Sequence, residues 1–469
     1  MKTTSLILAA LCLLGGHLAG AESNAARRPN ILLIIVDQQF AEMLSCAGNT
    51  YVKTPMMDSL AADGARFDLA YCADPVCMPS RFSMFTGVLP SRVELERNED
   101  GKEARSHVTP VILANSMGRV FGDAGYETVY GGKQHLPMTI EAAGFRNIEK
   151  DPGAKLADTC AAFLRQPHDR PFLMVASFIN PHDICFMAIS DAKTPGNISG
   201  PQPLIRAMAL PPGMSREEFF EKVCPPLPAN YAVPSGEPES ILAADPRPFR
   251  VHARNDWTDE QWRLHRWTYA QLTELVDAQI GTVLRAMRAT TLDKNTLVVF
   301  TSDHGDMDAS HRLEHKSVLY DEAARVPFII SWKGVTKPGL VDREHLVSTG
   351  LDMIPTLCDF AGIPVPAALH GSSVRTLSEG GMPSEWRETL VVENGSSRML
   401  RSSRYKYSVY AAGARREVLT DMIEDPGEMR NLALDPAFAT VLAGHREMLK
   451  KWYRQNGETL GARYIVSEK

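Results

Sequence analysis

A cysteine at the start of a predicted helix has the surroundings of a reactive group. It opens segment 77–81 (CMPSR), in which Pro79 suits the first turn of a helix because its missing N–H is not needed there. Gly87 suits the end of this helix. Free N–H groups and the helix dipole favour an oxyanion beside Cys77, and Arg81 adds a permanent charge one turn further on. The segment predicts an anion site, although an isolated buried cysteine is usually structural.

Two strongly apolar runs end in pairs of possible metal ligands. Six consecutive branched residues precede Asp37 and Gln38, and a second apolar run ends just before Asp303 and His304. Such runs are typical of strands buried on both faces of a parallel sheet, whose ligands bind at the carboxyl ends. Asp37 alone could simply cap a turn. Two such strands together predict a metal site.

Further polar residues follow two other predicted strands. Lys133 and His135 come directly after two glycines, and His182 and Asp183 follow the apolar run 171–178. A glycine loop can bring a basic pair close to an anion, whereas a lone histidine after a strand is more often structural. Their recurrence at strand ends favours a shared site.

The order of the elements predicts the fold class. Buried strands alternate with helices predicted over 54–67, 116–124 and 262–288, which is typical of an α/β protein with a large central, mostly parallel sheet flanked by helices. After Gly371, short strands near 390–392, 399–401, 405–409 and 417–420 and a helix over 436–453 predict a smaller C-terminal domain with an antiparallel sheet and a helix.

The domain boundaries and the destination of the chain are predicted from its composition. A basic start, a short apolar run and Ala19-Gly20-Ala21 predict a signal peptide over 1–21, cleaved near Ala21, and a secreted or periplasmic protein; an uncleaved anchor is the alternative. Residues 22–370 would form the catalytic domain and 371–469 the C-terminal α+β subdomain. No later stretch has the length of a membrane helix.

The charge and the cysteines restrict the function further. The formal net charge of −6 argues against nucleic acid as a partner but permits a local basic pocket. Seven cysteines follow the predicted signal, and an odd number in an exported protein indicates one with a separate task.

Several motifs together resemble one family. Cys-x-Pro-Ser-Arg at 77–81, followed by Thr-Gly at 86–87, is similar to the signature of the type I, formylglycine-dependent sulfatases of the alkaline phosphatase superfamily. Gly-Lys-x-His-Leu at 132–136 and Asp-Pro-x-Glu at 425–428 also resemble that family, in its order, over about residues 29–434. The resemblance implies a sulfuric ester hydrolase. A formylglycine-generating enzyme would oxidise Cys77 to Cα-formylglycine, whose hydrate attacks sulfur.

The resemblance also implies roles for individual residues. The implied catalytic residues are Cys77, Arg81, Lys133, His135, His182 and Lys316. The implied ligands of one divalent cation, most often Ca²⁺ in the family, are Asp37, Gln38, Cys77, Asp303 and His304. The expected substrate contacts are Asp183, His311 and Arg254, the last of which lies in a proline-rich insertion over 190–255 and could equally be plain surface.

Two departures from the family pattern leave alternatives open. The family often has Asp-Asp and Asp-Asn where this chain has Asp37-Gln38 and Asp303-His304, and an imidazole admits Mn²⁺ or Zn²⁺. Similar variants occur in relatives that cleave phosphonate or phosphate esters, so a phosphonate monoesterase or phosphodiesterase is the alternative. An inactive glycan-binding protein would keep Cys77 unmodified. The export signal favours sulfated glycans of mucin or glycosaminoglycan type.

Overall fold

The protein is built around a large sheet and a smaller one. The computed structural model describes residues 28–243, 247–456 and 460–466 of the 469-residue chain. The strands in these ranges are β1 (Asn30–Asp37), β2 (Ala65–Phe67), β3 (Ala70–Tyr71), β4 (Glu127–Gly132), β5 (Arg146–Glu149), β6 (Phe172–Pro181), β7 (Thr296–Ser302), β8 (Phe328–Ser331), β9 (Leu340–Asp342), β10 (Val347–Ser348), β11 (Leu390–Asn394), β12 (Ser397–Arg401), β13 (Tyr405–Tyr410) and β14 (Glu417–Asp421).

Helices connect and cover these strands. The α-helices in the described ranges are α1 (Pro55–Ala62), α2 (Cys77–Thr86), α3 (Gly101–His107), α4 (Pro110–Ala114), α5 (Met117–Asp123), α6 (Leu156–Leu164), α7 (Cys185–Lys193), α8 (Gln202–Ala207), α9 (Arg216–Lys222), α10 (Ser240–Ala243), α11 (Pro248–Asp256), α12 (Asp259–Ala289), α13 (Asp321–Ala324), α14 (Met353–Ala361), α15 (Arg375–Ser378) and α16 (Ala439–Asn456).

The large sheet has eight strands in the order β5-β4-β6-β1-β7-β8-β2-β9. The pairs from β5 to β7 are parallel, whereas β8 is antiparallel to both of its neighbours. Parallel neighbours must be joined by crossover connections, so their carboxyl ends meet at one edge. This mixed, mostly parallel sheet confirms the predicted fold class.

Both faces of the large sheet are buried. Alternate residues of β1 point to opposite sides: Ile31 packs on the side of α2, α5 and α14, and Leu32 on the side of α1, α6 and α12. Burying a branched side chain of this size stabilises the fold by about 1.5–3 kcal/mol. The strand therefore needs apolar residues at consecutive positions, as its sequence has.

The smaller sheet is antiparallel and lies in the C-terminal part of the chain. Its order is β11-β12-β13-β14, and α16 packs on it through Leu442, Leu449 and Tyr453. The predicted C-terminal sheet and helix are therefore confirmed. The proposed boundary near residue 371 stays a prediction.

One predicted helix is too long. The helix expected over 54–67 ends at Ala62, and residues 65–67 form β2 instead. A Cβ on Gly64 would lie 2.2 Å from the backbone oxygen of Ile330, so glycine allows the turn to approach β8 closely. Phe67, the last residue of the predicted helix, belongs to β2 of the large sheet.

The described helices include none that is long and apolar enough to cross a membrane. The predicted signal peptide over 1–21 lies outside the described residues. The seven cysteines from Cys46 to Cys358 are all free thiols in the structure.

Candidate active site

The site lies at the carboxyl edge of the large sheet. Asp37 ends β1, Asp303 directly follows β7, and these strands pair with Val36 opposite Ser302. Cys77 is the first residue of α2, which ends at Gly87 in the left-handed conformation (φ 67°). The predicted helix boundaries are thus confirmed, and the helix N-terminus faces the ends of the central strands.

Four side chains converge in a cluster that could hold a metal ion. One ligand atom each from Asp37, Cys77, Asp303 and His304 lies within 4.8 Å of the others, and all four residues are buried. The Sγ of Cys77 is 3.2 Å from Nε2 of His304 and 3.8 Å from Oδ1 of Asp37. We call these four residues the Cys77 cluster.

The tautomer of His304 suits this cluster. Its Nδ1 lies 2.9 Å from the backbone oxygen of Gly305. A carbonyl oxygen can only accept, so Nδ1 carries the proton and Nε2 turns its lone pair toward Cys77. Two carboxylates and this imidazole nitrogen form a donor set that fits a divalent cation.

Two lysines reach Cys77 from different loops. The ammonium of Lys316 lies 2.7 Å from Sγ, and that of Lys133 lies 3.6 Å from it and also contacts Asp37. In the described ranges, no carboxylate lies within 4 Å of the Lys316 ammonium. The site therefore holds a positive charge that no carboxylate neutralises directly.

Arg81 is buried beneath the cluster. Its guanidinium donates to Oδ2 of Asp303 at 2.7 Å, to Oδ2 of Asp37 at 3.0 Å and to Oγ of Ser177 at 2.7 Å. Such multidentate binding fixes both carboxylates in position. The structure thus joins Arg81 to the two acids, while its expected contact with sulfuryl oxygens stays a prediction.

These charges change the acidity of the groups they face. Burial raises the pKa of the Cys77 thiol, but Lys133 and Lys316 outweigh it and hold that pKa well below its usual range. Burial also raises the pKa of Asp37, but nearby cations, Lys133 foremost, hold it well below the usual value. The pKa of Asp303 is raised by burial and by the charge of Asp37.

Two half-buried histidines approach the same sulfur. His135 lowers the pKa of the Cys77 thiol, Cys77 raises that of His182, and Nε2 of His182 is 3.9 Å from Oδ1 of Asp37. Among the described residues, neither Nδ1 atom has a hydrogen-bond partner. Burial and the charge of Lys133 lower the pKa of His182 to about 4, so its imidazole is neutral at neutral pH.

Several residues here have a backbone conformation that is unusual without glycine. Positive φ values occur at Gln38 (70°), His135 (46°), His315 (72°) and Ser317 (70°). Each such residue costs on the order of 1 kcal/mol or more, and such strain concentrates at functional sites. These conformations lower the stability of the fold and fix the directions of these side chains.

Gln38 adjoins the Cys77 cluster through Lys316. Its Oε1 accepts from the Lys316 ammonium at 3.0 Å, and its Nε2 donates to Asp306 at 2.7 Å. Asp183 lies nearby, where burial raises its pKa and Asp37 adds to that effect. Gln38 thus lies beside a lysine, and Asp183, which follows His182 in the chain, accepts from Nδ2 of Asn180 at 3.2 Å.

Two expected substrate contacts, His311 and Arg254, are held by other protein residues, and their contact with substrate stays a prediction. The ring of His311 is buried and stacks on Tyr320 at 4.0 Å, and burial lowers its pKa to about 3. Arg254 is buried and pairs with Glu237 at 2.8 Å, so the alternative of plain surface is wrong. In the part of the chain that the structure describes, no hydrogen bond or ion pair joins either residue to the Cys77 cluster.

Sequence reasoning missed several neighbours of the site. A cavity of about 570 Å³ is lined by Val76 and Ser317, which flank Cys77 and Lys316, and by Arg97, Arg247 and Phe249. Cys185 and His315 lie behind Lys316. Ser177 binds Arg81 from within β6, opposite Ile35 of β1, and a polar residue inside an otherwise apolar run was the signal that could have found it.

This α/β fold, with acids, an imidazole, a cysteine and lysines at its strand ends, defines the class of hydrolases that act on anionic esters. The Sulfatase family model matches residues 29–363, and the model for the C-terminal part of N-sulphoglucosamine sulphohydrolase matches residues 309–455. The chain belongs to the type I sulfatase family of the alkaline phosphatase superfamily and is a sulfatase.

Individual relatives extend this result. A Delta 4,5-hexuronate-2-O-sulfatase from Bacteroides thetaiotaomicron is 32% identical, over 93% of this chain and 91% of its own. The structure of a 2-O GAG sulfatase is 28% identical with a TM-score of 0.79, over 94% of this chain and 95% of its own. A phosphonate monoester hydrolase of Agrobacterium radiobacter, 22% identical with a TM-score of 0.69 over 92% and 96%, shares the fold.

Proposed function

We propose that this sulfatase releases inorganic sulfate from a sulfated carbohydrate of glycosaminoglycan type, with the nucleophile at residue 77. Carbohydrate substrates are supported by the two similar sulfatases that act on hexuronate and GAG sulfates. A cavity of about 570 Å³ beside Val76 and Ser317 would take the sugar. Residues 1–21, by their composition, would direct the chain to the periplasm or the exterior.

The positive charge at Cys77 is the observation that carries this proposal. Lys316 lies 2.7 Å from Sγ in a buried setting and has no carboxylate within 4 Å among the described residues. In surroundings of low polarity such a cation strongly favours an anion, and fixed charges stabilise the charge that develops during sulfuryl transfer. A sulfate ester is the anion that the family relatives indicate.

Residue 77 would act as Cα-formylglycine. Its hydrated aldehyde would supply a hydroxyl nucleophile for attack on sulfur. Cys77 is 1% exposed in the folded protein, so a formylglycine-generating enzyme would have to reach this segment before the chain folds around it. The thiol would then have been replaced before the site closes.

The metal would be held by Asp37, Asp303, His304 and the oxygen of residue 77. When bound, a divalent cation would polarise the sulfate and favour the ionised nucleophile. Ca²⁺ is the family's usual ion, and the imidazole of His304 would also suit Mn²⁺ or Zn²⁺. Arg81 would keep the two carboxylates in place, as its hydrogen bonds to both indicate.

The remaining residues would bind the sulfate and move protons. Lys133 and Lys316 would bind the sulfuryl oxygens. His182 would donate a proton to the leaving sugar oxygen once the negative charge of the bound sulfate ester has raised the pKa of its imidazole from about 4, and His135 would help the later release of sulfate. Asp183 would contact a sugar hydroxyl.

Two measurements test this proposal together. The peptide that carries Cys77 is weighed after expression with a formylglycine-generating enzyme, and sulfate release is followed from 2-O-sulfated unsaturated hexuronate disaccharides, 6-O-sulfated N-acetylglucosamine and 4-nitrophenyl sulfate. We expect loss of sulfur and two hydrogens with gain of oxygen, and turnover of a sugar sulfate. The Cys77→Ala variant controls for contaminating enzymes.

A phosphonate monoesterase is the second candidate. It is favoured by the Gln38 and His304 positions and by the fold shared with a phosphonate monoester hydrolase. Phenyl phosphonate monoesters and bis(4-nitrophenyl) phosphate therefore belong in the same assay. Turnover of these esters, without sulfate release from any sugar, would replace the sulfatase proposal; binding without turnover and an intact Cys77 thiol would favour the inactive glycan-binding protein.

A further inference from the structure

The Lys316 ammonium has a second neighbour besides Cys77. It lies 3.0 Å from Oε1 of Gln38 and is 2% exposed. Lysine carries its charge on a flexible stem with three donors, so its position depends on the acceptors around it. The position of Oε1 of Gln38, the other acceptor beside the ammonium, therefore helps to fix the position of the Lys316 charge.

The amide of Gln38 has a defined orientation. Lys316 can only donate, so the end of the amide that faces it is the oxygen. The nitrogen then points to Asp306 and donates to Oδ2 at 2.7 Å. The same amide oxygen lies 3.1 Å from the sulfur of Cys185, which can donate its S–H.

A histidine and an arginine fix the other side of Cys185. Nη1 of Arg247 lies 2.8 Å from Nε2 of His315, and because arginine only donates, Nε2 must be the unprotonated nitrogen. Nδ1 of His315 therefore carries the proton and donates to the Cys185 sulfur at 3.0 Å. The donors run in one direction, from Arg247 through His315 and Cys185 to Gln38.

This arrangement is built into the buried backbone. Gln38 and His315 both have positive φ, 70° and 72°, a backbone conformation that residues other than glycine rarely adopt. Cys185 and His315 come from α7 and from the loop after β7, 130 residues apart in sequence. Arg247, at the outer end, lines the cavity proposed for the sugar.

We propose that Cys185 and His315 are positioning residues that hold the Gln38 amide so that its oxygen directs the Lys316 ammonium at the sulfate. In this assignment Gln38 serves the lysine rather than the metal, in contrast to its expected role as a ligand. The inference rests on the proposed function, because it assigns Lys316 to the sulfate.

The test is a double-mutant cycle between Cys185 and Lys316. Cys185→Ala, Cys185→Ser and His315→Ala are made in the wild-type chain, and Cys185→Ala also in a Lys316→Ala background. Two quantities are measured: kcat/KM for the sugar sulfate that the screen identifies, and the affinity for inorganic sulfate by calorimetry. Cys224→Ala, which removes a buried thiol that packs with Phe219 and Phe220 in a separate apolar cluster, is the matched control.

We expect Cys185→Ala and His315→Ala to lower both quantities about 10-fold, as for groups that position a charge rather than touch substrate. Cys185→Ser should stay within about 3-fold of wild type, because its hydroxyl can accept from His315 and donate to Gln38. In the Lys316→Ala background, Cys185→Ala should have no further effect. Cys224→Ala should match the wild type.

Two outcomes would overturn the inference. One is unchanged sulfate affinity in both Cys185→Ala and His315→Ala; the other is an equal loss from Cys185→Ala with and without Lys316, which would indicate a packing effect. The calorimetric series does not depend on turnover. A wild type that hydrolyses no sulfate ester would refute the proposed function, while the binding cycle would still decide the role of Cys185.

Discussion

The protein contains two buried groups of charged residues that are built on opposite principles. Beside the Cys77 cluster, the Lys316 ammonium contacts the sulfur of Cys77 and the side-chain amide of Gln38. No carboxylate of the described ranges lies within 4 Å of this ammonium. The second group joins β13 of the small sheet to α13 and to the segment after β14: Lys406 lies 2.9 Å from Asp321 and 2.8 Å from Glu428. We call these last three residues the Lys406 group.

The difference separates a site for chemistry from one for stability. In the Lys406 group every charge has an opposite partner within the protein, and Arg325 also binds Asp321 at 2.9 Å. A buried pair of this kind is costly to break but has no charge left for a ligand. Beside the Cys77 cluster, Lys316 instead faces a sulfur and an amide rather than a carboxylate, so an anionic group in place of that sulfur can bind it. Substitutions in the two places should therefore change different measurements.

The largest effect is expected from Asp303→Asn. We expect kcat/KM to fall by about 10³-fold or more, because an amide is a poor ligand and cannot take a proton from the nucleophile. The unfolding free energy should change less than in the Lys406→Met variant, because asparagine keeps the shape of the side chain, Arg81 keeps its pair with Asp37, and loss of one of two neighbouring buried acids relieves their repulsion. Steady-state sulfate release and urea unfolding give the two numbers. Asp342→Asn, at the end of β9, is the matched control, and near-native turnover by Asp303→Asn would refute the assigned role of Asp303.

Lys406→Met should show the reverse pattern. It leaves Asp321 and Glu428 buried without their common cation, which typically destabilises a protein by about 3–5 kcal/mol. Activity per folded molecule should be close to wild type, because no hydrogen bond or ion pair in the described ranges joins the group to Cys77. Urea unfolding at neutral pH measures the loss, with Lys450→Met, whose partner Glu447 is solvent-exposed, as the control. An equal loss of unfolding free energy in Lys406→Met and Lys450→Met would contradict the stabilising role of the Lys406 group.

Glu314 gives a smaller effect that depends on pH. Burial raises its pKa to about 7, partly offset by Arg250 and increased by Asp306, and its Oε1 has no hydrogen-bond partner among the described residues. The folded state thus holds this proton more tightly than the unfolded state does, so wild-type stability falls as pH rises from about 4.5 through about 7.

Glu314→Gln removes that dependence. The unfolding free energy of the variant minus that of the wild type should increase by about 3 kcal/mol between pH 4.5 and pH 8, an order-of-magnitude figure from the difference in pKa. Urea unfolding at both pH values gives the comparison. Curves that stay parallel across this range would show that Glu314 is not a buried acid of raised pKa.

Much of the fold followed from local patterns. The branched run of β1 and the apolar run of β7 predicted buried strands, and Pro79 with Gly87 predicted the limits of α2. The helix over 54–67 was predicted too long because Phe67 fits a helical face as well as a short strand. Only the approach of β8 to Gly64 distinguishes the two.

The candidate site was predictable only in part. Strand ends and motifs pointed to the members of the Cys77 cluster, and the structure places these residues together. His311 and Arg254 were expected at the substrate, which stays a prediction, and the sequence did not indicate their contacts with Tyr320 and Glu237. A spacing in sequence does not say which way a loop turns, and the loop after β7 turns through several positive φ values.

The sequence by itself determined the class of the protein, the strands of the parallel sheet and the cysteine at a helix N-terminus, because these depend on neighbouring residues. The tertiary structure alone decided that Arg81 binds two carboxylates, that Lys316 has no acid beside it in the described ranges, and that Cys185 meets His315. Those contacts arise where crossover connections bring distant strand ends to one edge, and no local pattern encodes which side chains then meet.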